Sequence, residues 1–202
     1  MGDDAGDRFG ASVVCLGDVN GDDNVDIAVG AIDDDDRGSS SGSVRFLSIG
    51  YDADEDELTV ERWADLSGDA PGDRFGSSLA SADLAGNVGS ALVIGSPEAD
   101  GDPILANRGV VHVYEHSGGN WDLLTSQQGV DAGDHFGCSV AGLNGWGASA
   151  EVVFAVGADH SDENGSASGS VRVFSLAAGS ELLHVAGDTA GDNLGEAIAN
   201  AG

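Results

Sequence analysis

Gly6-Asp7-Arg8-Phe9-Gly10 decides the reading of this chain, because it returns as Gly72-Asp73-Arg74-Phe75-Gly76 and as Gly133-Asp134-His135-Phe136-Gly137. A weaker fourth copy is Gly191-Asp192-Asn193-Leu194-Gly195. The spacing of about 60 residues is too long for one coil of a solenoid and suits a four-stranded antiparallel unit with its loops.

The same order of elements follows each opening. A short strand comes first, at Ala11-Ser12-Val13-Val14, Ser77-Ser78-Leu79-Ala80 and Cys138-Ser139-Val140-Ala141. Next stands an apolar run that ends in a small-residue turn: Ile27-Ala28-Val29-Gly30-Ala31, Leu92-Val93-Ile94-Gly95-Ser96-Pro97 and Phe154-Ala155-Val156-Gly157-Ala158. Short apolar runs between glycine-rich breakers read as buried strands. A third strand leaves from glycine and alternates, at Gly42 to Phe46, Gly109 to Tyr114 and Gly169 to Phe174. Alternation puts Val44 and Phe46 on one face, with Arg45, His112 and Arg172 on the other. A fourth, less regular strand is expected around Trp63-Ala64-Asp65-Leu66, Trp121-Asp122-Leu123-Leu124 and Leu182-Leu183-His184-Val185. Four strands per unit is the composition of a propeller blade.

The Phe-Gly opening, the Gly-Ala or Gly-Ser-Pro turn and the acidic loop between them resemble FG-GAP repeats, which build the β-propeller of integrin alpha subunits and of many other extracellular proteins. The resemblance covers nearly the whole chain. It implies an all-β fold of FG-GAP, integrin alpha-type β-propeller blades: three four-stranded antiparallel blades plus the first strand of a fourth. On this reading residues 1–202 form a single partial propeller, with blades at about 6–71, 72–132 and 133–190 and the start of a fourth at 191–202. Three blades do not close a ring, so either the sequence is a segment of a longer chain or copies associate.

Between the first two strands of the first repeat runs Asp18-Val19-Asn20-Gly21-Asp22-Asp23-Asn24-Val25-Asp26. Oxygen side chains fall at loop positions 1, 3, 5 and 9, and the main-chain carbonyl of Asn24 is available at position 7. One loop with that spacing can wrap a hard cation with oxygen ligands at about 2.3–2.6 Å, which suits calcium better than magnesium. An EF-hand would need its bidentate glutamate where Val29 stands, and helices where strands are expected. The loop is similar to the FG-GAP calcium loop, and that likeness implies Asp18, Asn20, Asp22, Asn24 and Asp26 as Ca2+ ligands. The plain alternative is a solvated Asx-rich hairpin. The second loop has Asp83, Ala85, Asn87, Gly89 and Ala91 at those positions, and the third has Gly145, Gly147, Ser149, Glu151 and Val153. Both have lost most of their oxygen side chains, so one calcium site is expected.

Composition narrows the function classes. The chain has 36 acidic and 7 basic side chains and a formal charge of −29, which makes nucleic acid and anionic membrane surfaces poor partners. All the basic residues are arginine, which excludes lysine-dependent chemistry. No apolar run is long enough to span a bilayer, and Met1-Gly2-Asp3-Asp4 lacks the basic and apolar regions of a signal peptide. Cys15 and Cys138 have no metal or redox spacing and read as small buried residues. The acidic runs at 33–36, 52–57 and 159–163 read as solvated loops, and the first and third are expected on the propeller face opposite the calcium loop. His112 and His116 read as surface residues, too far apart along a strand to share a metal, and His135 as a positional variant of the repeat arginine. No serine, cysteine or histidine stands with partners that suggest a nucleophile, so no enzyme is expected.

The resemblance implies a non-catalytic, extracellular or cell-surface module in adhesion, recognition or surface assembly, with a protein or glycan ligand, or further copies of itself, as partner. Two alternatives stand beside it: a structural repeat of a surface filament or matrix, and an accessory propeller of a larger secreted enzyme.

Overall fold

A computed structural model describes residues 4–84, 87–101, 105–143, 152–176 and 179–201. Twelve strands run through them in chain order, and among the described residues there is no helix, and so none long and apolar enough to cross a membrane. The first sheet holds β1 (Phe9–Gly17), β2 (Val25–Ala31), β3 (Ser43–Asp52) and β4 (Glu57–Ser67). The second holds β5 (Ser78–Leu84), β6 (Asn87–Ser96), β7 (Val110–Ser117) and β8 (Asn120–Gln128). The third holds β9 (Ser139–Gly142), β10 (Val153–Ala158), β11 (Ser170–Ser175) and β12 (Glu181–Ala186). Within each sheet the strands pair antiparallel in the order of the chain. The expected four-stranded unit is therefore present three times, with β3 and β4 extended into a long hairpin whose exposed tip is the acidic stretch 53–57.

The repeated glycines are explained by a joint that recurs between sheets. The second, third and fourth copies of the opening each seat on the sheet before them: Ser12 Oγ donates to Gly76 O at 2.6 Å, Ser78 Oγ to Gly137 O at 2.8 Å and Ser139 Oγ to Gly195 O at 2.6 Å. The incoming carbonyl lies so close that a Cβ on Gly30, Gly95 or Gly157 would stand 2.3, 2.1 or 2.0 Å from it. No side chain fits at these places. The residue before Phe9, Phe75, Phe136 or Leu194 is held left-handed, with φ of 52° at Arg8, 52° at Arg74, 55° at His135 and 50° at Asn193. The aspartate of the motif ties its own turn, since Asp4, Asp131 and Thr189 N–H groups donate to Asp7, Asp134 and Asp192 Oδ2 at 2.9, 2.9 and 2.8 Å. These are turn-forming roles and give the motif aspartate a structural reason to recur.

Two apolar layers fill the gaps between sheets. Leu16, Ala28, Val44 and Phe46 of the first sheet meet Phe75, Leu92 and Ile94 of the second repeat, and Phe46 stacks on Trp121 at 4.7 Å. Val93, Val111 and Val113 of the second sheet meet Phe136, Phe154, Val156 and Phe174 of the third repeat. The aromatic of each opening thus completes the layer between its own sheet and the preceding one.

Several expectations are corrected. His112 and His116 are not surface residues but half-buried, because the second sheet is covered on both faces: His112 packs against Phe75 at 5.7 Å and His116 against Trp63 at 5.4 Å. Burial pushes the pKa of His112 below its ordinary value, against a weaker opposing effect of Asp69. Cys15 is exposed and Cys138 half-buried, whereas both read as buried. Within the acidic run at 33–36, Asp34 is buried rather than solvated. Residues 196–201 do not form the first strand of a fourth sheet. They lie across the third sheet, with Ile198 packed on its apolar residues and Asn200 Nδ2 donating to Gly142 O at 3.0 Å, and among the described residues no neighbouring strand pairs with them.

Candidate metal centre

The loop between β1 and β2 closes on its own carboxylates. Asp18 Oδ1 accepts the Gly21 and Asp22 N–H groups at 2.8 and 3.0 Å, and its Oδ2 accepts Asp23 N–H at 3.0 Å. Left-handed residues at Gly21 (φ 81°) and Asp23 (φ 66°) turn the chain sharply enough to aim those donors inward. Asp22 Oδ1 accepts Asn24 N–H at 2.8 Å, and Ser48 Oγ reaches Asp22 Oδ2 from β3 at 2.7 Å. The Ser48 hydroxyl, and after it the Asn24 amide, hold the Asp22 carboxyl below the usual carboxylate range.

Asp26, fully buried, accepts from Val19 and Asn20 N–H at 2.9 and 3.1 Å through Oδ2 and from Trp63 Nε1 at 3.1 Å through Oδ1. Of the five expected ligand residues, the side chains of Asn20, Asp22 and Asp26 are hydrogen-bonded together, and that of Asp18 is bonded to backbone N–H groups of the loop. Asn24 contributes its backbone, while its side-chain oxygen turns toward Gly50 on β3.

The donor set is all oxygen, with three carboxylates, and so fits a hard cation. The Asn20 side-chain NH2 stands where such an ion would bridge, donating to Asp22 Oδ2 at 3.0 Å and to Asp26 Oδ1 at 3.3 Å. Taking up a cation requires that amide to turn its oxygen inward and the carboxylates to draw together, since the three acids do not converge within 4.8 Å.

The second repeat has no comparable loop. β5 and β6 stay paired as far as Leu84 and Asn87, so Asp83, Asn87, Gly89 and Ala91 are strand residues; Ala85 lies outside the described residues. In the third repeat Gly145, Gly147, Ser149 and Glu151 also lie outside the described residues, and Val153 is buried in β10.

The opposite end of the sheets carries the turns after β2, β6 and β10. There Arg8 pairs with Asp33 at 2.9 Å and Arg74 with Glu98 at 2.5 Å. Asp34 is drawn inside to Arg45 and Ser43, at 3.1 and 2.8 Å from its Oδ2. In the third repeat the same place holds His135, Asp159 and His160, the one set of three His, Cys, Asp or Glu ligand atoms among the described residues that lies within 4.8 Å of one another. Reading the motif residue by itself missed this cluster. Setting His135 and His160 beside Arg8 and Asp33 exposes it.

No protein-family model and no curated protein matches the chain.

Proposed function

We propose that this chain is a non-catalytic β-propeller module of FG-GAP, integrin alpha-like type, stabilised by calcium in the loop 18–26 and acting outside the cell or at its surface in adhesion, recognition or assembly. The observation that carries the reading is the joint: the second and third sheets each seat on the sheet before them through the same serine, glycine and Phe-Gly contact, and the Leu194-Gly195 turn repeats that contact on the third. Successive sheets joined by a repeated packing are the construction principle of propellers. The acidic turns at 33–36 and 159–163 stand at the end of the sheets away from the calcium loop, and a protein or glycan ligand would meet the module there.

The test is the thermal unfolding midpoint in calcium, in magnesium and in chelator at constant ionic strength, for the native chain and for Asp22→Ala. Calcium at a hundredfold excess over its dissociation constant adds about 2.7 kcal/mol to folding, a rise of about 5–10 °C for a chain of this size. Asp22→Ala is expected to abolish the rise. An equal rise in magnesium, or one that the substitution leaves intact, would refute the calcium assignment and leave charge screening as the cause.

One observation favours the alternative of copy-to-copy assembly. The face of the first sheet turned away from the second exposes Val13 (64%), Val60 (59%) and Leu58 (72%), whereas Leu79, at the position of Val13 in the second repeat, packs against the first sheet. Burying such a face is favourable at about 25 cal/mol per Å2. Sedimentation of the native chain and of Leu58→Glu/Val60→Glu across a concentration series distinguishes the two readings: association that the double substitution removes favours assembly, and a concentration-independent monomer excludes it.

A further inference from the structure

Arg8, Arg74 and His135 occupy one position of the repeat and share one left-handed backbone conformation, with φ of 52°, 52° and 55°. Asp33, Glu98 and His160 occupy a second position, three residues after the repeated Gly30, Gly95 and Gly157. In the first two repeats these positions form an arginine–carboxylate ion pair. In the third both members are histidine, and Asp159 stands where Ile32 and Pro97 stand in the others. A salt bridge has been replaced, at three positions together, by two imidazoles and a carboxylate.

We propose that His135, Asp159 and His160 bind a divalent transition-metal ion of the zinc type. His160 Nδ1 lies 3.0 Å and His135 Nδ1 3.8 Å from Asp159 Oδ1, and the two rings are 4.4 Å apart between centroids. Donors bonded to one tetrahedral zinc at about 2.0–2.2 Å are about 3.3–3.5 Å from each other, so the three atoms are close to the edges of a coordination polyhedron. Asp159 Oδ1 is the second indication. It is buried and no donor meets it with good hydrogen-bond geometry, although an imidazole nitrogen is at contact distance and the Cys138 thiol lies close to the same carboxylate. A buried carboxylate oxygen without a donor is costly, and a metal ion would satisfy it.

The chemistry differs from that of the loop 18–26. Two nitrogen donors suit zinc, nickel or copper rather than calcium, and the site lies at the other end of the sheets. Cys138 stands nearby, but its Sγ faces Gly195 O at 3.4 Å and is not counted among the ligands. The side chains of His135, Asp159 and His160 are 31%, 15% and 48% exposed, so an ion held by them keeps positions open to water or to a donor from a partner. This site is independent of the calcium reading and of the propeller reading.

The experiment is a calorimetric titration of the full chain with Zn2+ in buffer containing excess Ca2+, which occupies oxygen-only sites. The native chain is expected to take up one equivalent more than His135→Arg/His160→Glu, a pair of substitutions that rebuilds the ion pair of the other repeats and so preserves the fold. His160→Ala is expected to weaken binding at least about tenfold, and Asp65→Ala, an exposed change on the first sheet, to leave it unchanged. Co2+ in place of Zn2+ is expected to give visible absorption bands that the double variant lacks. Equal zinc stoichiometry and affinity in the native chain and the folded double variant, or Co2+ bands that survive in it, would overturn the proposal.

Discussion

Asp34→Ala is expected to destabilise the protein by about 3–5 kcal/mol, read as a lower urea midpoint at unchanged slope. Arg45, the third residue of β3, has a side chain only 2% exposed, and that of Asp34 is 4% exposed. Asp34 Oδ2 accepts from Arg45 Nη2 at 3.1 Å and from Ser43 Oγ at 2.8 Å, and its Oδ1 accepts Asp36 N–H at 3.1 Å. The guanidinium also lies 5.7 Å from the centre of the Phe9 ring. Removing the carboxylate takes the Asp34 counter-charge and its hydrogen bond away from a guanidinium buried beside an aromatic. The native stability of a domain is of the order of 5–15 kcal/mol, so the variant is expected to be close to unfolding.

Two comparisons isolate the cause. Removing both charges together, in Asp34→Leu/Arg45→Met, is expected to cost less than Asp34→Ala, because the buried guanidinium that Asp34 helps to neutralise is removed with it. Asp65→Ala, which breaks an exposed pair with Arg62, is expected to cost under about 1 kcal/mol. If Asp34→Ala costs no more than Asp65→Ala, the pair is not energetically buried and the argument fails.

What was legible in the sequence was set by backbone geometry. Gly30, Gly95 and Gly157 recur because an incoming carbonyl occupies the place of a Cβ, and Phe75 and Phe136 recur because each fills a gap between sheets. Such constraints act on single positions and leave a periodic trace. Asp18 and Asp26 are tied to the backbone in the same way, since each accepts N–H groups of the loop 18–26 that it closes.

Other features depend on what lies across the sheet, and alternation within a strand carries no information on that. His112 and His116 sit on the face of β7 opposite Val111 and Val113, and in a single-layer reading that face is wet. In the molecule the first sheet covers it, and Phe75 and Trp63 touch the two rings. Val13 and Cys15 lie on the corresponding face of β1, which no sheet among the described residues covers, and they are exposed. Within Asp33-Asp34-Asp35-Asp36 nothing in the sequence distinguishes one acid from its neighbours. The turn after β2 and the position of Arg45 on β3 select Asp34 for burial.

Phe136→Ala is expected to cost about 3–5 kcal/mol and to divide the unfolding transition. The ring is fully buried between the second and third sheets, edge-on to Phe174 at 5.9 Å and beneath the Arg172 guanidinium at 5.6 Å. It packs in the layer formed by Val111, Val113, Val140 and Phe154, and these come from both sheets. Its loss therefore weakens the joint between repeats more than either sheet alone. Where neighbouring units are coupled chiefly through an interface, weakening the interface lets them unfold separately. With Trp146 of the third repeat replaced by Phe, tryptophan fluorescence reports the first two repeats, which hold Trp63 and Trp121, and far-UV circular dichroism reports all three sheets. In Phe136→Ala the circular dichroism transition is expected to begin at lower urea than the fluorescence transition, because the third sheet is released first. Phe136→Leu is the control: the fourth copy of the motif carries Leu194 at this position, and an apolar side chain of nearly the same volume costs under about 1.5 kcal/mol. Coincident transitions in Phe136→Ala, with a loss no greater than that of Phe136→Leu, would show that the backbone contacts of Gly137 hold the joint without the ring.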